Sequence, residues 1–164
     1  MSVETADPVK RFRNALGWFT TGVAVVAAQP HGCDPIGITI NSFSSVSLDP
    51  PLVLWCLDKK SETKTHFDEV DAFTVNVLGE HHEEVSNRLA KRGGHSLEGL
   101  ELATGETGAP RLGDAMAHFE CTVDARHDAG DHVIMVGRVV EFDFAEEGRP
   151  LLYHRGRYHA IHFG

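Results

Sequence analysis

The chain has 164 residues, a formal net charge of -9, 41% hydrophobic and 24% charged residues, an ordinary globular composition of a size for one core. The acidic balance repels phosphate backbones, so nucleic acid is not an expected partner, and no apolar run approaches the ~20 residues of a membrane-spanning helix. Cys33, Cys56 and Cys121 lie far apart without a C-x-x-C pair, which argues against a disulfide framework and fits a reducing cytosol; the opening "MSVETADPVKRFR" lacks the apolar core of a secretory signal.

The first element is predicted helical. Asp7 caps it, Pro8 sits where a helix tolerates proline, and Val9, Phe12, Leu16 and Phe19 recur at helical spacing. "VAVVAA" (23–28) then reads as a buried strand, and "QPHGCDP" as a turn. Ile36, Ile38 and Ile40 alternate with Gly37, Thr39 and Asn41, the pattern of a two-faced strand. From there the chain is expected to turn through Ser42 to Ser47, with Asp49-Pro50-Pro51 fixing the exit. "PLVLWCL" (51–57) and "AFTVNVLG" (72–79) are further strands, flanked by one helix opened by Ser61 and another from about Glu80 to Lys91. The glycine-rich stretch 93–113 has no period and predicts a long loop. "AHFECTVDARH" and "HVIMVGRVVEFDF" read as two long strands, with Gly137 at a bulge or bend, and "PLLYHRGRYHAI" closes the chain as one or two short strands. Strands mostly follow strands, which is not the rhythm of a parallel α/β sheet. A closed or nearly closed antiparallel barrel buries such strands with the fewest open edges. No repeat or linker divides the chain, so a single domain over 1–164 is expected.

Eleven histidines raise a metal hypothesis. The spacing weakens it, because "EHHEE" (80–84) is not H-E-x-x-H and adjacent His81 and His82 are expected on different helix faces; no metal site is assigned. G-x-S-x-G, G-x-G-x-x-G and Walker patterns are absent, which sets aside a nucleophile elbow and a Rossmann site. The informative stretch is "GITINSFSSVSLDPP" (37–51). Thr39 and Asn41 share the polar face of a strand, and Gly37 on that face would let a flat ligand approach the backbone. The hydroxyls and N–H groups of Ser42, Ser45 and their neighbours suit the heteroatoms of a ring edge or a polyol. Ser61 at a helix start, with Lys59, Lys60 and Lys64 nearby, suits an anion. Ring, polyol and phosphate together describe a flavin; a Ser/Thr-rich turn followed by an ordinary helix cap is the competing account of the same residues. "GDH" places His132 at a strand start on the barrel rim, available to donate to a carboxamide or to settle protons on a reduced ring. A hairpin turn is the simpler account of those three residues alone. "GRY" adds Arg157 for phosphate and Tyr158 for stacking.

Together these segments resemble the flavin reductase-like family, the short-chain NAD(P)H:flavin oxidoreductases that are often the small partner of two-component flavin-dependent monooxygenases. The resemblance runs from "FRNALGWFTTGVAVVAA" through "GITINSFSSVSLDPPLVLWCL", "SETKTHF", "AFTVNVLGE" and "GDHVIMVGRVVEF" to "PLLYHRGRYHAI", in order and over about the whole chain. It implies a mainly β fold, an antiparallel, Greek-key-like FMN-binding split barrel with a few flanking helices. It also implies FMN or FAD as flavin, NADH or NADPH as hydride donor, and a cytoplasmic homodimer whose subunits complete each other's sites. The implied partner is a monooxygenase served by diffusing reduced flavin. By the same resemblance Thr39, Asn41 and Ser42 lie along the isoalloxazine and ribityl chain, and Cys56 and Leu57 approach from the neighbouring strand. Ser61 and Lys64 receive the phosphate, His132 stands near the nicotinamide, and Tyr158 flanks the same cleft. Trp55 occupies a position where a smaller aliphatic residue is expected; it either stacks on the ring or belongs to the core. The loop "LAKRGGHSLEGLELATG" lacks the family's Lys-Phe pair. Two other classes remain open: a barrel flavoprotein that keeps its flavin and acts on another substrate, and a non-enzymatic flavin or haem carrier.

Overall fold

A computed structural model describes residues 7–163. Helix α1 (Pro8–Leu16) starts where expected: the Asp7 carboxylate accepts the Val9 N–H at 3.1 Å, and Pro8 opens the first turn. Phe19 lies beyond the end of that helix. The strands then follow as β1 (Thr21–Gly22), β2 (Ala24–Ala28), β3 (Ile36–Ile40), β4 (Ser44–Leu48) and β5 (Pro51–Asp58). After α2 (Lys64–Glu69) and β6 (Ala72–Val77), a 3-10 turn over Glu80–His82 leads into α3 (Glu83–Ala90). The chain closes with β7 (Leu102–Thr104), β8 (Pro110–Leu112), β9 (Ala117–Ala129), β10 (His132–Phe144), β11 (Leu152–His154) and β12 (Arg157–His159).

Seven strands make one sheet in the order β3-β2-β6-β9-β10-β5-β4, antiparallel at every junction. Its two edge strands, β3 and β4, are consecutive in sequence and joined by Asn41–Phe43 alone. Four peptide steps from Ile40 to Ser44 reach at most about 14 Å, so the sheet must curl until its edges nearly meet. The result is a barrel split at that seam. Of the inward residues, Trp55 is 0% exposed and meets Phe67 and Phe73 edge-on at 5.0 and 5.8 Å; Leu57, Val75, Cys121 and Met135 complete the filling. A second apolar layer lies outside the barrel wall, where Val25, Ala27, Leu78, Leu89, Leu97 and Leu151 pack together. Because β2 is covered on both sides, its sequence is an unbroken apolar run. Gly137 falls at a register shift between β9 and β10, and a Cβ there would meet the Phe73 ring at 2.6 Å.

Three expectations need correction. The serine stretch does not turn all the way from Ser42 to Ser47: Asn41–Phe43 make the turn, and Ser44–Leu48 form edge strand β4 with a register shift between Ser45 and Ser47. Both its faces are largely exposed, so the burial alternation that marks a strand is missing. Ser61 does not open α2, which begins at Lys64 with Thr63 in the cap position. The region 93–113 is not all loop, since β7 and β8 pair within it.

Candidate functional site

Strand alternation decides which predicted residues can touch a ligand. On β5, Val53, Trp55 and Leu57 point into the barrel, so the side chains of Trp55 and Leu57 are core and neither faces a ring. Cys56 points the other way. Its N–H donates to Ser42 Oγ at 2.9 Å, and the Ser42 hydroxyl donates to Cys56 O at 3.4 Å. Ser42 thus stitches the seam turn to the outer face of β5, and burial raises the Cys56 thiol above its ordinary value, partly offset by that serine. Ile134 pairs with Cys56 and His132 with Asp58 across β10; His132 therefore stands two residues, about 7 Å, further along the same outer face. Its Nδ1 carries the proton, because it lies 2.7 Å from the Asp131 carboxylate, which only accepts. That bond holds the Asp131 carboxyl below its usual range and leaves Nε2 toward solvent at the strand start.

On β3 the corresponding outer face carries Gly37 and Thr39. Gly37 is buried, and a Cβ there would meet Leu97 at 2.6 Å and Val25 at 3.1 Å. The glycine makes room for the protein's own second apolar layer, so its expected contact with a flat ligand is corrected. Thr39 donates to the Ser86 carbonyl at 2.7 Å, and the Ser86 hydroxyl meets the Tyr158 hydroxyl at 2.7 Å. Thr39, Asn41, Tyr153, Tyr158, Val23 and Ala90 line one cleft of about 180 Å³. Asn41 continues into a second, smaller hollow beside Phe43 and Thr21, and its amide makes no hydrogen bond among the described residues, so it is free to serve a ligand. Asn41 and Ser42, neighbours in the chain, join this cleft to the Cys56–His132 face across the seam.

The remaining predicted positions lie at the margins. Ser45 is exposed on edge strand β4. Ser61 Oγ shares a 2.9 Å bond with Thr63 Oγ1 and accepts the Thr63 N–H at 3.2 Å, while the Lys64 ammonium sits on Asp68 at 2.6 Å. Ser86, Tyr153 and Glu62 were missed by sequence reasoning. Ser86 and Glu62 read as ordinary helix and turn residues, and only tertiary hydrogen bonds distinguish them. The expectation that His81 and His82 diverge is also corrected: both lie in the 3-10 turn Glu80–His82, and both reach Asp114. With His81, His82 and Asp114 within 4.8 Å of one another, this is a metal-like group. However, His82 Nδ1 accepts the Gly79 N–H at 3.0 Å, so Nε2 bears the proton it gives Asp114, and that atom is unavailable as a ligand in this tautomer.

The architecture is thus a small split antiparallel barrel with a filled interior and a polar cleft over its outer face at the split. A family model described as flavin reductase like domain matches residues 16–162, and the chain belongs to that family. It is 45% identical over 150 residues, 91% of this chain and 84% of the relative, to an FMN reductase (NADH) from Agrobacterium fabrum. It is 37% identical over 161 residues, 98% of this chain and 82% of the relative, to the reductase subunit of a flavin-dependent monooxygenase from Rhodococcus jostii. Among solved structures, an NADH:FAD oxidoreductase of Streptomyces globisporus in complex with NAD and FAD fragments superposes with a TM-score of 0.88 at 34% identity, covering 98% of each chain.

Proposed function

We propose that this protein is an NADH-dependent flavin reductase that accepts FMN or FAD and supplies the reduced flavin to a partner monooxygenase. The observation that carries the reading is the outer-face cleft at the barrel seam, with polar groups of Thr39, Asn41, Ser42 and Tyr158 beside a barrel whose interior is full. A planar ring can only lie on that outer face, since Trp55, Phe67 and Phe73 occupy the inside. Relatives of this chain include an FMN reductase and a monooxygenase reductase subunit, which favours a diffusible flavin over a retained one.

Bound together, the two cofactors supply the redox chemistry, in which a hydride leaves C4 of the nicotinamide for N5 of the flavin. The chain supplies position and polarity. Asn41 offers an amide to the ring edge or polyol, and the N–H groups of the Ser42–Ser45 segment offer donors where negative charge develops. Ser42 is fixed for this by its two bonds to Cys56. Thr39 and Tyr158 are held by Ser86 as the opposite wall. His132, with Nδ1 bound to Asp131, presents Nε2 to the nicotinamide carboxamide at the rim. No paired carboxylate or nucleophile is required, and the cleft is walled without one. Ser61 stands at the phosphate end.

The apolar surface favours a homodimer. Helix α1 has nine residues, none of them buried, and exposes Val9, Phe12 and Leu16 along one face; isolated helices that short are marginal in water. Phe142 and Phe144 on β10 and Leu48 on β4 (95% exposed) are further exposed apolar side chains, and exposed apolar patches mark interfaces. Among the described residues no helix is long and apolar enough to cross a membrane, and a cytoplasmic single-domain protein fits the free cysteines.

The test is NADH oxidation with and without added FMN or FAD, on wild type and on Asn41→Leu. The wild type should oxidise NADH only with flavin present and saturate with it. Asn41→Leu should raise the flavin KM by about tenfold or more, the size of one or two lost hydrogen bonds to a bound group. An unchanged flavin KM in the variant removes the ring from this cleft.

A further inference from the structure

Glu62 follows Ser61 in the turn ahead of α2, yet its carboxylate is engaged thirty residues away. Oε1 accepts from Arg92 Nε at 3.1 Å, Oε2 accepts the Gly93 N–H at 2.6 Å, and His95 Nε2 lies 3.6 Å from Oε2. His95 is tied in turn to the wall of the cleft strand. Its Nδ1 donates to Gly37 O at 3.1 Å, and the Gly37 N–H donates to His95 O at 2.9 Å. Gly93 has φ +75, so the strap bends there through a conformation that favours glycine. One carboxylate therefore pins the segment from Arg92 to His95 between the Ser61 turn and β3. These bonds hold the Glu62 carboxyl below its usual range, the Gly93 N–H contributing most.

The contact with Arg92 is side-on. Nε alone meets Glu62, and the four N–H bonds of the two terminal nitrogens make no hydrogen bond among the described residues, with the side chain 87% exposed. A guanidinium held at Nε with its terminal fork free is oriented in advance for a bidentate phosphate contact, and less side-chain freedom is lost when the anion arrives. Arg88 and Lys91 line the same hollow as Arg92, together with Glu83 and Glu84, and Lys59 and Lys60 precede Ser61 in sequence. We propose that Glu62 is a positioning residue that orients Arg92 as a fork for a phosphate ester of a cosubstrate beside Ser61. The inference rests on the flavin-reductase reading and adds to it the residue that discriminates phosphorylated from unphosphorylated cosubstrates. It also gives a use to the loop that lacks the Lys-Phe pair.

Equilibrium titration by flavin fluorescence, with FMN and with riboflavin, tests this on wild type, Glu62→Gln, Arg92→Ala and the double variant. Riboflavin has the same ring and polyol without the phosphate. Glu62→Gln should raise the ratio Kd(FMN)/Kd(riboflavin) by about tenfold, the loss of one charge-assisted contact. Arg92→Ala should do the same, and the double variant should add little to either. A companion measurement of NADPH against NADH KM separates the sources: a change in that ratio instead assigns the fork to the dinucleotide phosphate. If neither ratio moves, if the FMN ratio falls, or if the two substitutions add fully, Glu62 does not act through Arg92 on phosphate. A merely structural Glu62 would weaken FMN and riboflavin alike and lower the melting temperature without shifting the ratio. Arg92→Ala removes only an exposed side chain and keeps the test open should Glu62→Gln fold poorly. Wild type that binds neither flavin would overturn the flavin reading itself, and this inference with it.

Discussion

At the scale of single residues, Asp114 shows how a surface carboxylate can organise a buried polar group. It accepts from His82 Nε2 at 2.9 Å, and His81 Nε2 approaches its other oxygen at 3.4 Å. Chiefly through the His82 bond, the Asp114 carboxyl lies below its ordinary value of 3.8. A folded-state value below the unfolded one means that the unfolded chain binds more protons in that interval, so stability rises with pH there. The contribution is present above 3.8 and is lost as pH falls through the folded value. Asp114→Asn should therefore lower the melting temperature at neutral pH and flatten the acid limb of the melting-temperature profile below about pH 4. An acid limb as steep as wild type would show that the steepness comes from other carboxylates. The same group illustrates the limit of pattern reading. Adjacent histidines on an α-helix diverge, but those at the 3-10 turn lie together, their rings tilted by 39° with centroids 3.9 Å apart, and no spacing rule distinguishes the two.

At the scale of elements, what the sequence disclosed depended on whether burial was two-sided, one-sided or absent. β2 reads as an apolar run because both its faces are covered, and β3 as an alternation because Ile36, Ile38 and Ile40 face the barrel while Thr39 faces the cleft. β4 has little burial on either face, so its serines resembled a turn. The Gly37, Thr39 and Asn41 face was legible as special, but its content was divided in the fold. Thr39 and Asn41 line the cleft, whereas Gly37 admits Leu97 from a loop sixty residues away in sequence, a partner that no local pattern reveals. Likewise Cys56 was separable from Trp55 and Leu57 by alternation alone, while the Ser42 bond that fixes it required the closed barrel. The apolar face of α1 has no partner among the described residues: Phe12 is 67% exposed. In the homodimer proposed above, Phe12→Glu should leave the barrel folded and shift the protein toward monomer in analytical ultracentrifugation, because a charge would be desolvated at the proposed interface. A variant that sediments as wild type would place the interface elsewhere.

At the scale of the whole molecule, fold and site are consequences of one topological fact. The edges of a seven-stranded antiparallel sheet are consecutive strands, so the sheet curls and splits at Asn41–Phe43, and the groups left free at that seam face outward. The interior is spent on aromatic packing, which puts ligand chemistry on the outer wall and leaves the cleft open on one side. An open cleft suits a flavin that arrives oxidised and departs reduced. The most direct measurement is anaerobic reduction of a large molar excess of FMN by NADH with catalytic amounts of this protein, followed by the loss of oxidised-flavin absorbance. The account predicts complete bleaching of all added flavin over many turnovers. Bleaching that stops at one flavin per subunit would mean that the flavin is retained, and no bleaching would contradict the reductase reading outright.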